Sequence, residues 1–200
     1  MRMLVHVCCG PCAVYPMQRL AAAGHELTGF FHNPNIHPYQ EFRRRLEAAL
    51  SLSKESGWPL MVDEHYGLRE YLRRVVFDED KRCRHCYDMR LEGVARQAKE
   101  GGYAAFTTTL LYSKYQNHEL ICERAAWWAA QFGVGFHYED FRVGWQEGID
   151  ASIRLGLYRQ PYCGCIYSEQ ERYDKTWRKE AKTAKKAGQQ TAQPNIEHTT

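Results

Sequence analysis

The chain begins Met1-Arg2-Met3-Leu4-Val5-His6-Val7-Cys8-Cys9-Gly10-Pro11-Cys12, and this stretch decides the fold. Arg2 to Val7 is an apolar-rich run that reads as a buried strand, and the Gly-Pro pair after it reads as a loop. A helix is expected over Val14 to Ala23, stopped by Gly24. Working outward, a strand is expected over Glu26 to Phe31, closed by His32-Asn33-Pro34-Asn35. Pro38 then suits the first turn of an amphipathic helix, Tyr39 to Ser56. A short strand Leu60 to Asp63 and a short helix Tyr66 to Arg74 follow. Asp88 to Glu100 reads as helix, and Tyr103 to Leu110, apolar and threonine-rich, as strand. A long helix Tyr115 to Phe132 ends at Gly133, with a last strand over Phe136 to Tyr138. Trp145 to Leu155 is helical, Tyr158 to Cys165 a loop, and helix resumes from Ser168.

Strands alternating with helices predict an α/β fold: a parallel sheet with helices on both faces, in one domain over 1–179. The polar stretch 180–200 is expected to be disordered. Ligands of such sheets sit beyond the carboxyl ends of the strands, which is where Cys8, Cys9 and Cys12 fall.

The 200 residues suffice for one core, and a formal charge of +3 does not by itself indicate a nucleic-acid binder. No stretch is long and apolar enough to cross a bilayer, and the N-terminus is too short and too soon interrupted for a secretory signal. A cytoplasmic, reducing location is therefore expected. There, the eight cysteines point to metal or redox chemistry rather than to a disulfide framework, because all but Cys122 fall into three tight groups.

The first group is Cys8, Cys9 and Cys12. Neighbouring residues on a regular strand face opposite ways, so two adjacent ligands need the chain to curl, which Gly10 and Pro11 permit. The second is Cys83-Arg84-His85-Cys86, whose spacing at a helix start can chelate one centre and is compatible with half a zinc site. In the third, Tyr162-Cys163-Gly164-Cys165, the spacing is tight for one metal but suits a small-ring disulfide. It reads best as a two-electron thiol switch, with a further pair of ligands as the alternative. Cys8, Cys9, Cys83 and Cys86 would satisfy zinc, leaving Cys12, Cys163 and Cys165 without a purpose. An iron–sulfur cluster takes the same four thiolates and gives a nearby dithiol a role. Cys122 reads as a core thiol and His6 as a satisfied core histidine.

Weaker signals surround these groups. His32, Asn33, His37 and Tyr39 follow the second strand and belong on the same rim. Arg43, Arg44, Arg45, Arg90, Lys114 and Arg159 could contact phosphate, although a solvated helix face is the ordinary reading of the arginine run. Ser113 follows the threonine-rich strand. Tyr15, Tyr39, Tyr112 and Tyr115 could stack on bases, with core packing as the alternative. His6, His37, Tyr87 and Asp88 are candidate proton donors.

Together, His6 to Cys12, Asn33-Pro34-Asn35-Ile36-His37-Pro38, Arg82 to Tyr87 with Arg90-Leu91, Thr107-Thr108-Thr109-Leu110 with Ser113, and Tyr158 to Cys165 resemble the QueH epoxyqueuosine reductase family. The resemblance runs from Met1 to about Lys179; Ser113-Lys114 departs from the Ser-Pro expected there. It implies reduction of epoxyqueuosine to queuosine at the wobble position of tRNA, with an electron donor that the sequence does not identify. It also implies a 4Fe–4S cluster on Cys8, Cys9, Cys83 and Cys86, a neighbouring single iron that Cys12 helps to hold, and a redox-active disulfide at Cys163/Cys165. The implied fold is Rossmann-like, similar to the PP-loop (HUP-like) enzymes that use ATP. Their Gly-rich phosphate cradle is replaced here by Cys8-Cys9-Gly10-Pro11-Cys12, where Pro11 has no amide hydrogen to offer. That argues against the rival reading as an ATP-dependent sulfur transferase. A structural-zinc, RNA-binding module is the other rival.

Overall fold

The structure is a computed structural model that describes residues 1–176 together with Lys179 and Thr183. All but Thr183 of the stretch 180–200 expected to be disordered lies outside the described residues.

Five parallel strands form one sheet in the order β3-β2-β1-β4-β5. They are β1 (Arg2–His6), β2 (Glu26–His32), β3 (Leu60–Asp63), β4 (Ala105–Thr108) and β5 (Gly135–Phe136). Met3, Leu4 and Val5 are fully buried, as a central strand covered on both faces must be. Among the described residues these α-helices flank the sheet: α1 (Gly10–Ala22), α2 (Tyr39–Ser56), α3 (Leu68–Val75), α4 (Arg82–Glu100), α5 (His118–Phe132), α6 (Trp145–Arg154) and α7 (Ile166–Tyr173). Helix α1 packs against α2 and α6, whereas α4 packs against α3, α5 and the central strands. The α/β parallel sheet expected from the sequence is therefore present.

The chain moves outward from β1 to β2 and β3, then returns to the other side of β1 for β4. This reversal opens a crevice at the carboxyl ends of β1 and β4, the place where open parallel sheets bind ligands.

Most element boundaries agree with the sequence expectation to within a few residues; α1 begins earlier, and α4 bears out the helix start expected at the second cysteine group. Helix α1 starts at Gly10 instead of Val14, with Cys9 as its N-cap and a proline in its first turn. The Gly-Pro pair read as a loop is thus a helix start: proline loses nothing where the amide hydrogen has no intrahelical partner. A Cβ at position 10 would lie 2.4 Å from the Ala48 carbonyl oxygen, so glycine lets α1 approach the α2 backbone. Helix α4 starts at Arg82, placing Cys83 and Cys86 in its opening turns.

Candidate active site

At the end of β1 the chain turns straight into α1, and this turn gathers three sulfurs. The Sγ atoms of Cys8, Cys9 and Cys12 all lie within 4.8 Å of one another. Cys8 is tied to the end of β4 twice: its amide donates to Thr109 Oγ1 (3.1 Å), and that hydroxyl donates to Cys8 Sγ (3.3 Å). Gln160, from the distant loop before α7, spans the other two thiols. Its Oε1 accepts from Cys9 Sγ at 3.2 Å, and its Nε2 donates to Cys12 Sγ at 3.1 Å.

The surroundings of the triad act most strongly on Cys8. Hydrogen bonding with Cys12, Cys9 and Thr109, together with the Arg90 charge, holds its thiol well below the usual range despite burial. Cys12 is pushed up chiefly by donating to Cys8, and Cys9 chiefly by burial.

The second and third cysteine groups adjoin each other. Burial pushes the Cys86 thiol up to about 12, with Arg90 opposing and Cys163, Cys165 and Cys83 adding to the rise. Cys163 is exposed at the surface, yet the atoms crowded around its sulfur raise its thiol to about 11, against Arg90. All eight cysteines are free thiols.

Two buried arginines organise this sulfur-rich region. Arg90 is 1% exposed; its Nε donates to Asn35 Oδ1 (2.7 Å) and its Nη2 has no partner. Among the described residues no carboxylate pairs with it. Burial opposes its charge, and Cys86, Cys8 and Cys163 together outweigh that burial, one cysteine from each of the three sequence groups. Arg45, also 1% exposed, uses its whole guanidinium fork. Nε pairs with Glu41 (2.7 Å), Nη1 donates to the Cys163 carbonyl (2.7 Å), and Nη2 donates to the Tyr162 carbonyl (2.8 Å). Glu41 in turn accepts from the Tyr158 hydroxyl at 2.5 Å. The Cys163 loop is further fixed by the His37 amide donating to the Gly164 carbonyl (2.7 Å) and the Tyr162 hydroxyl donating to the His37 carbonyl (2.7 Å).

A cavity of ≈ 580 Å³ opens beside the sulfurs, within the size range of small-molecule sites. Cys8, Cys12 and Cys163 supply its sulfur, and Tyr112, Tyr115 and Trp145 its aromatic surface. Arg45, Arg159 and Arg172 line it, and no Asp or Glu does. An acid-free lining with the Arg159 and Arg172 guanidinium groups, beside an Arg45 already paired with Glu41, suits an anionic ligand.

The residues singled out from the sequence divide accordingly. Ser113 and Arg159 line the cavity, and Lys114 Nζ stands 5.7 Å from the centroid of the Trp145 ring. His37, Tyr39 and Arg43 do not line it. His37 is buried against Tyr66 and Tyr71, Tyr39 packs on Phe42 and Tyr66, and Arg43 pairs with Glu64 at the surface. His32 and Asn33 are structural: His32 Nδ1 bonds Asp63 (2.7 Å), and Asn33 Nδ2 donates to the Val7 carbonyl (2.9 Å). His6 is the satisfied core histidine expected, bonded to Thr108 Oγ1 (2.8 Å) and the His32 carbonyl (3.1 Å). None of the four candidate proton donors lines the cavity; Asp88 is held by Arg124 and Trp128.

The arginine run behaves unlike a solvated face, because Arg45 is interior. It shares a helical stripe with Phe42, Ala49 and Leu52, all buried, and Glu41 precedes it by one turn. That spacing was the available signal. Gln160 and Trp145 had none in the sequence, since only the packing of α6 and the loop before α7 brings them to the cavity.

The fold and this site define the class: an α/β protein with a cluster of three cysteines at the switch point of a parallel sheet. The chain belongs to the epoxyqueuosine reductase QueH family, whose model matches residues 3–171. It is 39% identical over 175 residues to epoxyqueuosine reductase QueH of Dehalococcoides mccartyi, covering 87% of this chain and 96% of that one. With the enzyme of the same name from Thermotoga maritima it shares 34% identity over 181 residues, covering 86% and 92%. With that from Haemophilus influenzae it shares 33% over 189 residues, covering 90% and 75%. The chain is accordingly an oxidoreductase. Among solved structures, a predicted subunit of tRNA methyltransferase from Methanocaldococcus jannaschii shares the fold, with a TM-score of 0.51 and 12% identity over 76% of this chain and 74% of that one.

Proposed function

We propose that this protein reduces epoxyqueuosine to queuosine at the wobble position of tRNA, in the cytoplasm, as a single catalytic domain over 1–179. In this reading Cys8, Cys9, Cys83 and Cys86 hold a 4Fe–4S cluster, and Cys12 helps to hold a second iron. Cys163 and Cys165 cycle between dithiol and disulfide. No helix among the described residues is long and apolar enough to cross a membrane.

The observation that carries the reading is Arg90, a cation buried beside the cysteines with an unpartnered Nη2 and, among the described residues, no carboxylate. Isolated buried charge is costly, so the surroundings must carry compensating negative charge. Thiolates ligating iron and sulfide meet that need, and soft sulfur donors suit such a group. A lone structural zinc would use four of the thiols and leave the Cys163 loop, with its arginine clamp, without a function.

When bound, the cluster and second iron would supply electron transfer and polarisation of the epoxide oxygen. The chain's own part is positioning and proton supply. Removing the oxygen takes two electrons and two protons, leaves an alkene and releases water. Oxidation of the Cys163/Cys165 dithiol to its disulfide yields both electrons and both protons, so the reaction balances without a further acid. Arg45 holds the Cys163 backbone beside the cavity, and Arg159 and Arg172 offer charge to substrate phosphates.

Anaerobically purified protein should be brown, contain iron and acid-labile sulfide, and convert epoxyqueuosine in tRNA. A colourless zinc protein without this activity is the result that defeats the proposal.

A further inference from the structure

Tyr115 is a large aromatic side chain left 87% exposed, yet it sits on an ordered stack. Its ring meets the Trp145 indole edge-to-face with centroids 5.6 Å apart. Tyr112 lies under the same indole, 5.1 Å away and tilted by only 27°, and its hydroxyl is locked on the Trp145 carbonyl oxygen at 2.7 Å. Tyr15 supports Tyr112 in turn, at 6.3 Å. Glycine at 148 allows this packing, because a Cβ there would fall 2.3 Å from the Tyr112 hydroxyl oxygen. Leaving such a ring in water forgoes roughly 1.5–3 kcal/mol of burial, so core packing does not account for its placement.

The surroundings name a ligand. Lys114 stands over Trp145, Ser113 and Arg159 line the same cavity, and no carboxylate joins them. Gln116, also in the lining, has a buried Oε1 without a hydrogen-bond partner, an acceptor left unmatched beside the cavity. An exposed aromatic ring flanked by cations and an unmatched acceptor is the chemistry that holds an unstacked base of single-stranded nucleic acid.

Resting on the tRNA reading above, we infer that Tyr115 is a stacking shelf for a base adjacent to the modified nucleotide. Trp145 is its support, and Lys114 and Arg159 take the flanking phosphates. The reacting base goes to the sulfur side of the cavity while its neighbour stays at the mouth, so the loop is gripped in two places.

The test is a binding cycle read by fluorescence anisotropy. The probes are a stem–loop RNA carrying the substrate nucleotide in its loop, and two copies with an abasic ribose on one or the other side of it. Wild type should lose roughly five- to hundredfold in affinity for one of the abasic RNAs. Tyr115→Ala should lose the same factor on intact RNA and nothing more on that abasic RNA, while Tyr115→Phe binds as wild type. Independent, additive losses, or intact RNA bound equally by Tyr115→Ala, would overturn the shelf and leave the tRNA reading standing. Failure of wild type to bind intact RNA would remove both.

Discussion

Arg45 of α2 donates from Nη1 to the carbonyl oxygen of Cys163 at 2.7 Å, across 118 residues of chain. Through this bond a buried ion pair on one helix governs a loop that reaches the site from the other end of the sequence. Glu41 neutralises Arg45 and also receives Tyr158, so the three side chains form one unit.

Removing one member of a buried pair strands the other, at a cost of about 3–5 kcal/mol. Glu41→Gln, which strands the Arg45 charge, and Arg45→Met, which strands the Glu41 carboxylate and removes both carbonyl anchors, should therefore each lower the urea midpoint strongly. Both should speed alkylation of Cys163 by a thiol reagent, since its loop loses carbonyl anchors. Unchanged alkylation rates in both variants would separate the ion pair from the loop.

Cysteine roles separate by readout. Cys163→Ser should keep its iron content and visible absorbance yet fail in multiple turnover. Cys8→Ser, which removes one sulfur of the triad, should lose iron as well as activity. Full multiple turnover by Cys163→Ser excludes the dithiol switch.

Acid should expose the buried His37. Burial, with Arg90 second, lowers it from the usual 6.5 to about 4. It is neutral in the folded protein, while the unfolded chain takes up a proton below pH 6.5. Its contribution is therefore intact above pH 6.5 and lost progressively as pH falls towards 4. At about 1.4 kcal/mol per unit the loss is roughly 3 kcal/mol. Both ring nitrogens lack partners, so His37→Phe keeps the shape. Denaturation at pH 7.5 and pH 4.5 should show a smaller acid loss in that variant, and equal losses would place the acid sensitivity elsewhere.

The cavity cations should outweigh the surface ones in RNA binding. Arg159→Glu is expected to weaken tRNA binding and reduce its salt slope by about one. Arg43→Glu, whose arginine pairs with Glu64 outside the cavity, should leave both nearly unchanged. The reverse ranking would put the RNA on the α2 surface.

Gly10→Ala tests the meeting of α1 and α2. The Ala48 carbonyl is backbone and cannot swing aside, so the added methyl must part the helices. A loss of about 1–3 kcal/mol is expected in urea, together with poorer iron loading, because Cys9 and Cys12 flank that contact. Wild-type stability in this variant would mean that the helices have room to separate.

Local pattern and tertiary placement contributed different things. Strand β3 over Leu60–Asp63 and helix α2 over Tyr39–Ser56 were legible to the residue. Apolar periodicity and the Pro38 and Gly57 boundaries are properties of consecutive residues. The three cysteine groups were legible for the same reason. The start of α1 was misread because a Gly-Pro pair serves a loop and a helix start equally well, and only packing against Ala48 chooses between them. The inward turn of Arg45 was available from its spacing, but charge density argued the other way.

The sequence by itself determined the α/β alternation, the family and the grouping of the cysteines, because these depend on residue types and short spacings. Only the tertiary structure decided that Arg90 answers Cys8, Cys86 and Cys163, that Gln160 joins Cys9 to Cys12, and that Trp145 carries Tyr115. Those relationships join residues far apart in the chain. They exist because strand β4 returns beside β1 and opens the crevice into which α6 and the Cys163 loop fold.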